Sequence, residues 1–440
     1  MSEYATELKQ TLTTLIRDMA AAPAPYVKNP ETDFTRKKKL PFETVMEFLV
    51  SMGGNSNYKE LLEFQGYDVN TATTSAFVQQ RKKILPSAME FLFHEFTQSY
   101  TSIKDYRGYR LLAVDGSDLH IATNPVDSDT YFQGQPDTKG YNLLHFNAAY
   151  DLCNRLYVDA LVQPRRLCNE GKALADMVDR SPIQGKAIVT ADRGYESYNT
   201  FAHLERKGWN YVIRVKDVDS KGILSGLRLP AGGAFDRNIH LTLTKKQTKE
   251  VKAHPEIYRF VPSTSTFDFL DVQENLYYPI SFRVVRFVLP SGTYETVITN
   301  LSVSDFPPEE IMSIYNLRWG IETSFRALKY TVGLTNFHAK GRESIIQEIF
   351  ARLILYNFAE MITSHVVISQ SDKRHAYQVN FTVAVHVCRQ FLRSRNDEPP
   401  PEVEALIRKN ILPIRPTRQG QKNTRKIRYK SAVSFVYRVA

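Results

Sequence analysis

Between Phe42 and about Tyr100, apolar residues recur three and four positions apart, at Phe42, Val45, Met46, Phe48 and Leu49 and again at Met89, Leu92, Phe93 and Phe96. That spacing predicts amphipathic helices. After Tyr106 the pattern becomes extended, with apolar and β-branched runs at Arg110 to Ile121, Leu143 to Ala149, Leu156 to Val162, Ala187 to Ala191 and Tyr211 to Val215. Helix-period segments at Gly171 to Asp179 and Tyr198 to Lys207 alternate with the later runs, so a mixed α/β sheet is expected. Asp151 to Arg155 reads as the hairpin between the second and third strands. From about Lys216 to Asn300 only short strands remain, such as Ile239 to Leu243, Ile280 to Val288 and Glu295 to Ile298, broken by Gly and Pro. Helix returns at Pro307-Pro308-Glu309-Glu310, a proline-and-acid start, and continues with one break near Gly333 to Gly341 as far as about Val367.

These shifts predict five segments: a helical DNA-binding N-terminal domain over 1–105, an α/β core in two parts over 106–216 and 301–366, a β-rich insertion over 217–300, and a C-terminal helical region with a basic tail over 367–440. The composition is that of a globular chain: 440 residues, 42% hydrophobic and 24% charged. The 57 Lys and Arg against 47 Asp and Glu leave a charge of +10, which favours polyanionic partners, nucleic acid first. Basic residues cluster at Arg36 to Lys39 and at Arg81, Lys82 and Lys83, with the Thr-, Ser- and Gln-rich Thr71 to Gln80 between them. Residues 411–440 hold eight Lys or Arg, among them Arg425, Lys426 and Arg428, and no Asp or Glu, the composition of a phosphate-binding tail. Three scattered cysteines give neither a disulfide framework nor zinc-ligand spacing, so a reducing cytosol is expected. The most apolar long stretch, Ile345 to Ile368, carries Glu348, Arg352, Glu360 and His365, which argues against a membrane span.

Three acids stand where catalytic carboxylates are expected. Asp115 follows Leu111-Leu112-Ala113-Val114 and precedes Gly116, so a strand is expected to end there, with the glycine leaving room for a ligand. An Asp-Gly turn fits the same residues, and Asp118 is a rival for a metal role. Asp192 follows the buried-looking run Ala187 to Ala191, at the carboxyl end of a strand, where α/β sheets bind ligands; a helix cap is the alternative. Glu322 lies in the helix opened by Pro307. At about 100° per residue, Tyr315, Arg318, Glu322 and Lys329 share a stripe roughly 60° wide beside the apolar stripe of Ile314, Leu317, Ile321, Phe325 and Leu328. Arg318 and Glu322 are an i, i+4 pair, whereas Lys329 is two turns away and free for another partner.

The spacing of Tyr315, Arg318, Glu322 and Lys329 resembles the YREK signature of bacterial insertion-sequence transposases of the insertion-sequence-four family. With Asp115 in Asp-Gly-Ser and Asp192 in Ala-Asp-Arg-Gly-Tyr, the three acids look like that family's DDE triad, in matching order along most of residues 106–366. The resemblance implies an RNase H-like core interrupted by a β insertion. It also implies Asp115, Asp192 and Glu322 as catalytic ligands of Mg²⁺, with Mn²⁺ as a substitute, and contacts from Tyr315, Arg318 and Lys329 to DNA near the transposon end. The activity implied is cut-and-paste transposition on double-stranded inverted-repeat ends, by a homodimer in a cytoplasmic, nucleoid-associated setting. Some relatives hold a flipped base with a tryptophan of the insertion, a role that Trp209 and Trp319 cannot take because both lie outside it. The insertion's aromatics, Tyr258, Phe260, Phe267, Phe269, Tyr277 and Tyr278, are able to stack on such a base but read first as its core, and Trp319 reads as packing. Two alternatives stay open: a transposase-derived DNA-binding protein without catalysis, and an RNase H-like nuclease without strand transfer. Neither a phosphate-binding Gly-rich loop nor a zinc-protease or Ser-nucleophile signature is present.

Overall fold

The structure, a computed structural model, describes residues 3–36, 38–135, 138–271, 273–368, 376–394 and 401–414. Its centre is one mixed sheet of ten strands: β1 (Arg110–Ile121), β2 (Tyr131–Phe132), β3 (Tyr141–Asp151), β4 (Leu156–Pro164), β5 (Ala187–Ala191), β6 (Asn210–Val215), β7 (Phe235–Thr244), β8 (Tyr258–Phe260), β9 (Tyr277–Val288) and β10 (Tyr294–Thr299). The spatial order is β2-β3-β1-β5-β6-β10-β9-β7-β8, with β4 also on β3. β1, β3 and β4 form an antiparallel meander, and the expected hairpin lies between β3 and β4. β5 then runs parallel to β1, and β6 parallel to β5. These parallel strands are joined through helices α6 (Glu170–Arg180) and α7 (Tyr198–Arg206), as parallel connections require. Asn169 and Ser197 cap the two helices by accepting from the Lys172 and Asn199 amides.

The strand-rich stretch after Lys216 is present, but its strands prolong the central sheet: β10 pairs antiparallel with β6, and β9 and β7 follow. It also holds a short helix, α8 (Lys249–Ala253), capped by Thr248, where the sequence pattern gave no helical signal.

The two faces of the sheet are covered differently. On β1, Leu112 and Val114 join the cluster under α6 and α7, with Phe201 and Leu204. Leu111 points the opposite way, into a cluster with Ile311 and Ile314 of α9 (Pro308–Leu317). Ala113 belongs to the large core shared with α10 (Trp319–Ala327), α11 (Arg342–His365) and the N-terminal helices. Those are α1 (Glu3–Ala21), α2 (Phe42–Ser51), α3 (Asn57–Phe64), α4 (Thr74–Arg81) and α5 (Pro86–Gln98), which confirm the helical reading of that region.

α11, the most apolar stretch of the chain, is buried on nearly every side, as a helix apolar all round must be. Its polar residues are buried with partners: Glu348 with Arg81, Asn357 with the Tyr157 backbone, and Glu360 with Arg155. Two further helices, α12 (Phe381–Arg393) and α13 (Val403–Lys409), pack beside it, and strands β11 (Tyr377–Val379) and β12 (Ile411–Pro413) pair with each other. Among the described residues, no helix is long and apolar enough to cross a membrane.

Candidate active site

The parallel pairing of β1 with β5 ends at Val114 opposite Ala191. The next residues are Asp115 and Asp192, so two carboxylates stand on neighbouring backbones about 4.8 Å apart at the carboxyl end of the parallel pair. The expectation that a strand ends at Asp115 needs correction: β1 continues to Ile121, held by β3, with Asp115 opposite Ala148. The strand that ends is β5. Side chains alternate across a strand, so Asp115 shares the face of Leu111 and Ala113, toward α9 and α10. The same alternation on β5 puts Asp192 on the face of Ile188. Each aspartate also accepts from the following amide, Asp115 from Gly116 at 2.8 Å and Asp192 from Arg193.

The helix opened by Pro307 is not continuous. α9 ends at Leu317, Arg318 is the joint, α10 follows, and Leu328 to Val332 form a single π-helical turn closed by Gly333 at φ 99°. A helix loosened by one residue at a functional site is a recurrent device. Glu322 on α10 faces the two aspartates. Arg318, only 3% exposed, donates from Nη2 to Glu322 Oε1 at 3.0 Å, and its Nη1 stands 3.8 Å from Asp115 Oδ2. Burial raises the Asp115 carboxyl to about 6, against the pull of the Gly116 amide and Arg318, and the negative charges of Glu322 and Asp192 push it further upward. Asp115 therefore feels the charges of two acids far from it in the chain.

Lys329 reaches back to β1, donating to Ser117 Oγ at 2.5 Å and to the Asp118 carbonyl at 3.3 Å. It is thus beside the site, as the shared stripe suggested, and burial lowers its pKa. Tyr315 is 1% exposed, its hydroxyl buried without a hydrogen-bond partner, so it lies beneath the site rather than on its surface. Leu317, expected in the apolar stripe, is 47% exposed. Trp319, expected to pack, is 57% exposed, with the Arg318 guanidinium 5.1 Å from its ring.

Asp118 does not join the carboxylates. It lies on the opposite face of β1, where His145 Nδ1 contacts its Oδ1 at 2.6 Å and Arg165 Nε lies 3.0 Å away. Gly116 likewise leaves room for His145 rather than for a ligand: a Cβ there would stand 2.4 Å from Nε2.

Of the expected DNA contacts outside the core, Arg81 is corrected. It is buried at 2% exposure and bound to Glu348 at 2.9 Å, Gln347 and the Ser344 carbonyl. Its place at the end of α4 faces α11, which a run of basic letters cannot reveal. Lys82 is exposed, and Lys83 is half-buried, 3.7 Å from Asp33. Arg425, Lys426 and Arg428 lie outside the described residues. Phe267, Phe269 and Tyr278 pack together against the core, as read from the sequence, whereas Tyr258 is half-buried outside that cluster, 6.1 Å from the Tyr277 ring.

The sequence matches the transposase DDE domain family over residues 106–358, more than half of the chain. The chain belongs to that family. The matched stretch of this DDE transposase begins just before β1 and ends inside α11, so it contains Asp115, Asp192 and Glu322. Among solved structures, the chain is similar to a piggyBac transposase synaptic complex with hairpin DNA, at 11% identity and a TM-score of 0.42 over 92% of this chain and 84% of that one. No curated protein matches it.

Residues missed by sequence reasoning also surround the site. Glu295 on β10 pairs with Arg214 on β6 at 3.0 Å, close enough to Asp192 and Arg318 to feel their charges, whereas Tyr195, three residues after Asp192, is buried in the cluster on the other face, under α6 and α7. No spacing connects Glu295 and Arg214 with the three acids; only the sheet order does.

Proposed function

We propose that this DDE transposase catalyses metal-dependent cleavage of transposon ends and their transfer into target DNA, by the cut-and-paste route of the insertion-sequence-four family with its YREK signature. The observation that carries the reading is the convergence of Asp115, Asp192 and Glu322 at the carboxyl end of the β1–β5 pair, beneath the Arg318 joint. The meander β1, β3, β4 followed by the helix-linked parallel strands β5 and β6 supports an RNase H-like core around them.

Asp115, Asp192 and Glu322 would hold Mg²⁺, with Mn²⁺ as a substitute. The donor set fits hard cations: it offers carboxylate oxygens only, and its mutual repulsion at Asp115 is the kind a divalent cation relieves. Such ions, when bound, activate the attacking oxygen and stabilise the leaving oxygen in phosphodiester cleavage. The chain's own groups do the positioning. The backbones of β1 and β5 fix the two aspartates; α10 brings Glu322 from above. Arg318, now spent on Glu322 and Asp115, supplies a positive charge that a DNA phosphate would share. Lys329, tethered to Ser117, would hold a second phosphate without preference for base. Duplex inverted-repeat ends are the substrate, and a homodimer is the active form.

The test is nicking of a duplex carrying the native inverted repeat, with and without Mg²⁺, using Asp192→Asn as control. Loss of cutting in that variant is expected, and equal cutting by both chains would refute the assignment. Pre-nicked ends supplied with a target plasmid should yield joined products. Nicking without joining would mark a nuclease, and DNA binding without either would mark a protein that has lost catalysis.

A further inference from the structure

On the face of the sheet opposite the three carboxylates, a second cluster combines donors that magnesium does not favour. His145 on β3, Cys168 before α6 and Glu170 in its first turn present ligand atoms that all lie within 4.8 Å of one another. We propose that His145, Cys168 and Glu170 form a site for a zinc-type divalent cation, with Asp118 holding the histidine ring in place.

The arrangement of the ring is the first argument. His145 is 3% exposed, and its Nδ1 contacts Asp118 Oδ1 at 2.6 Å. A carboxylate on one nitrogen fixes the tautomer and aims the other nitrogen at a metal, the usual outer support of a histidine ligand. That other nitrogen, Nε2, is buried and points to the cluster, 3.2 Å from Glu170 Oε1.

Surrounding atoms supply the second argument. Asn147 Oδ1 and the Tyr195 hydroxyl are buried without partners on this side of the sheet. Buried polar atoms are nearly always satisfied, and Asn147 Oδ1 lies with His145 Nε2 beside Gly116, so an unpartnered oxygen there favours an ion or a polar ligand.

The donor set decides the class. Imidazole, thiolate and carboxylate suit zinc and its neighbours, whereas magnesium takes oxygen. With bonds of about 2.0 Å to nitrogen and 2.3 Å to sulfur, tetrahedral ligand atoms stand roughly 3.5 Å apart, so a modest contraction closes the site. Binding would displace the Cys168 thiol proton to solvent. Three protein ligands leave a fourth position for water.

The ion would tie the start of α6 to β3 directly behind Gly116, and Gly194 packs against Glu170 from the β5 side. It would therefore brace both strands that carry Asp115 and Asp192. The inference does not depend on the role proposed for those acids.

The experiment is a Co²⁺ titration of the full chain, stripped of metal with chelator, in millimolar Mg²⁺ to occupy oxygen-only sites. One equivalent with a thiolate-to-cobalt charge-transfer band is expected. Cys168→Ser should abolish the band, while Cys153→Ser and Asp192→Asn should retain it. Asp118→Asn should weaken Co²⁺ affinity by about 10- to 100-fold with the band kept. Melting curves in chelator, compared with those of the unsubstituted chain, separate a lost ligand from a lost fold, and Glu170→Gln, at a half-exposed residue, gives a second reading through reduced affinity. Absence of a thiolate band at stoichiometric Co²⁺, or its survival in Cys168→Ser, would overturn the site and leave His145 as a cation bridging two carboxylates.

Discussion

Asp115 concentrates the physical conflict of the candidate site in one side chain. Its carboxyl, raised to about 6 by burial and by Glu322 and Asp192, is held neutral more readily in the folded chain than in the unfolded one. A raised acid contributes stability that is present below its unfolded pKa and lost as pH rises through the folded value. Without divalent ions, stability should fall between roughly pH 4 and pH 6 as this group ionises. Asp115→Asn cannot ionise and should exceed the parent chain by about 2 kcal/mol at pH 7.5, the gap closing below about pH 4. Melting curves across pH in chelator would check this, and superimposable profiles would contradict it. Gly116 offers a companion test. An added methyl would meet His145 Nε2 at 2.4 Å, so Gly116→Ala should cost about 1–3 kcal/mol in denaturant unfolding.

At the scale of elements, the join between α4 and α11 is a buried ion pair rather than a DNA-facing edge. Arg81 and Glu348 are both almost inaccessible, and Arg81, aided by His338, holds the Glu348 carboxyl down to about 2 despite burial. A depressed acid stabilises above its unfolded pKa and loses that contribution as pH falls through the folded value. Here the window is below about pH 4.5. Removing the cation leaves a buried charge, so Arg81→Ala should destabilise by about 3–5 kcal/mol, measured as a lower denaturation midpoint. Unchanged stability with a lower salt dependence of DNA binding would restore Arg81 to the surface. The joint at Arg318 and the π turn at Lys329 are features of the same scale. A continuous helix predicted the neighbourhood of Tyr315, Arg318, Glu322 and Lys329 correctly, yet missed the burial of Tyr315 and the exposure of Leu317 and Trp319.

For the whole molecule, the helical N-terminal region and the sheet share one hydrophobic core through α11. Segments that share a core in this way are expected to fold together. Residues 106–366 expressed alone would expose the apolar faces of α11 that α2 and α5 cover, and should aggregate, as light scattering would show; a monomeric, cooperatively melting fragment would argue for an independent core. The tail beyond residue 414 belongs to the electrostatics of the complete chain. Neutralising Arg425, Lys426 and Arg428 should lower affinity similarly for all DNA sequences and flatten the dependence of binding on salt. A loss confined to the inverted-repeat end would contradict that.

Local periodicity determined the order of the main helices and strands between Phe42 and Val367, though not α8, because apolar spacing of two or about three and a half residues is dictated by the backbone itself. It also placed Asp192 at the end of β5 and Arg318 one turn from Glu322, but ended β1 at Asp115, which lies within that strand. Only the tertiary structure decided which face each side chain joined. The pairing of β1 with both β3 and β5 sends Asp115 toward α10 and Asp118 toward His145, three residues apart in sequence and on opposite sides of the sheet. Contacts such as Arg81 with Glu348, or His145 with Glu170, join segments whose separation carries no periodic signal. They exist because burying one shared core leaves each polar group within it to find its partner wherever packing brings one.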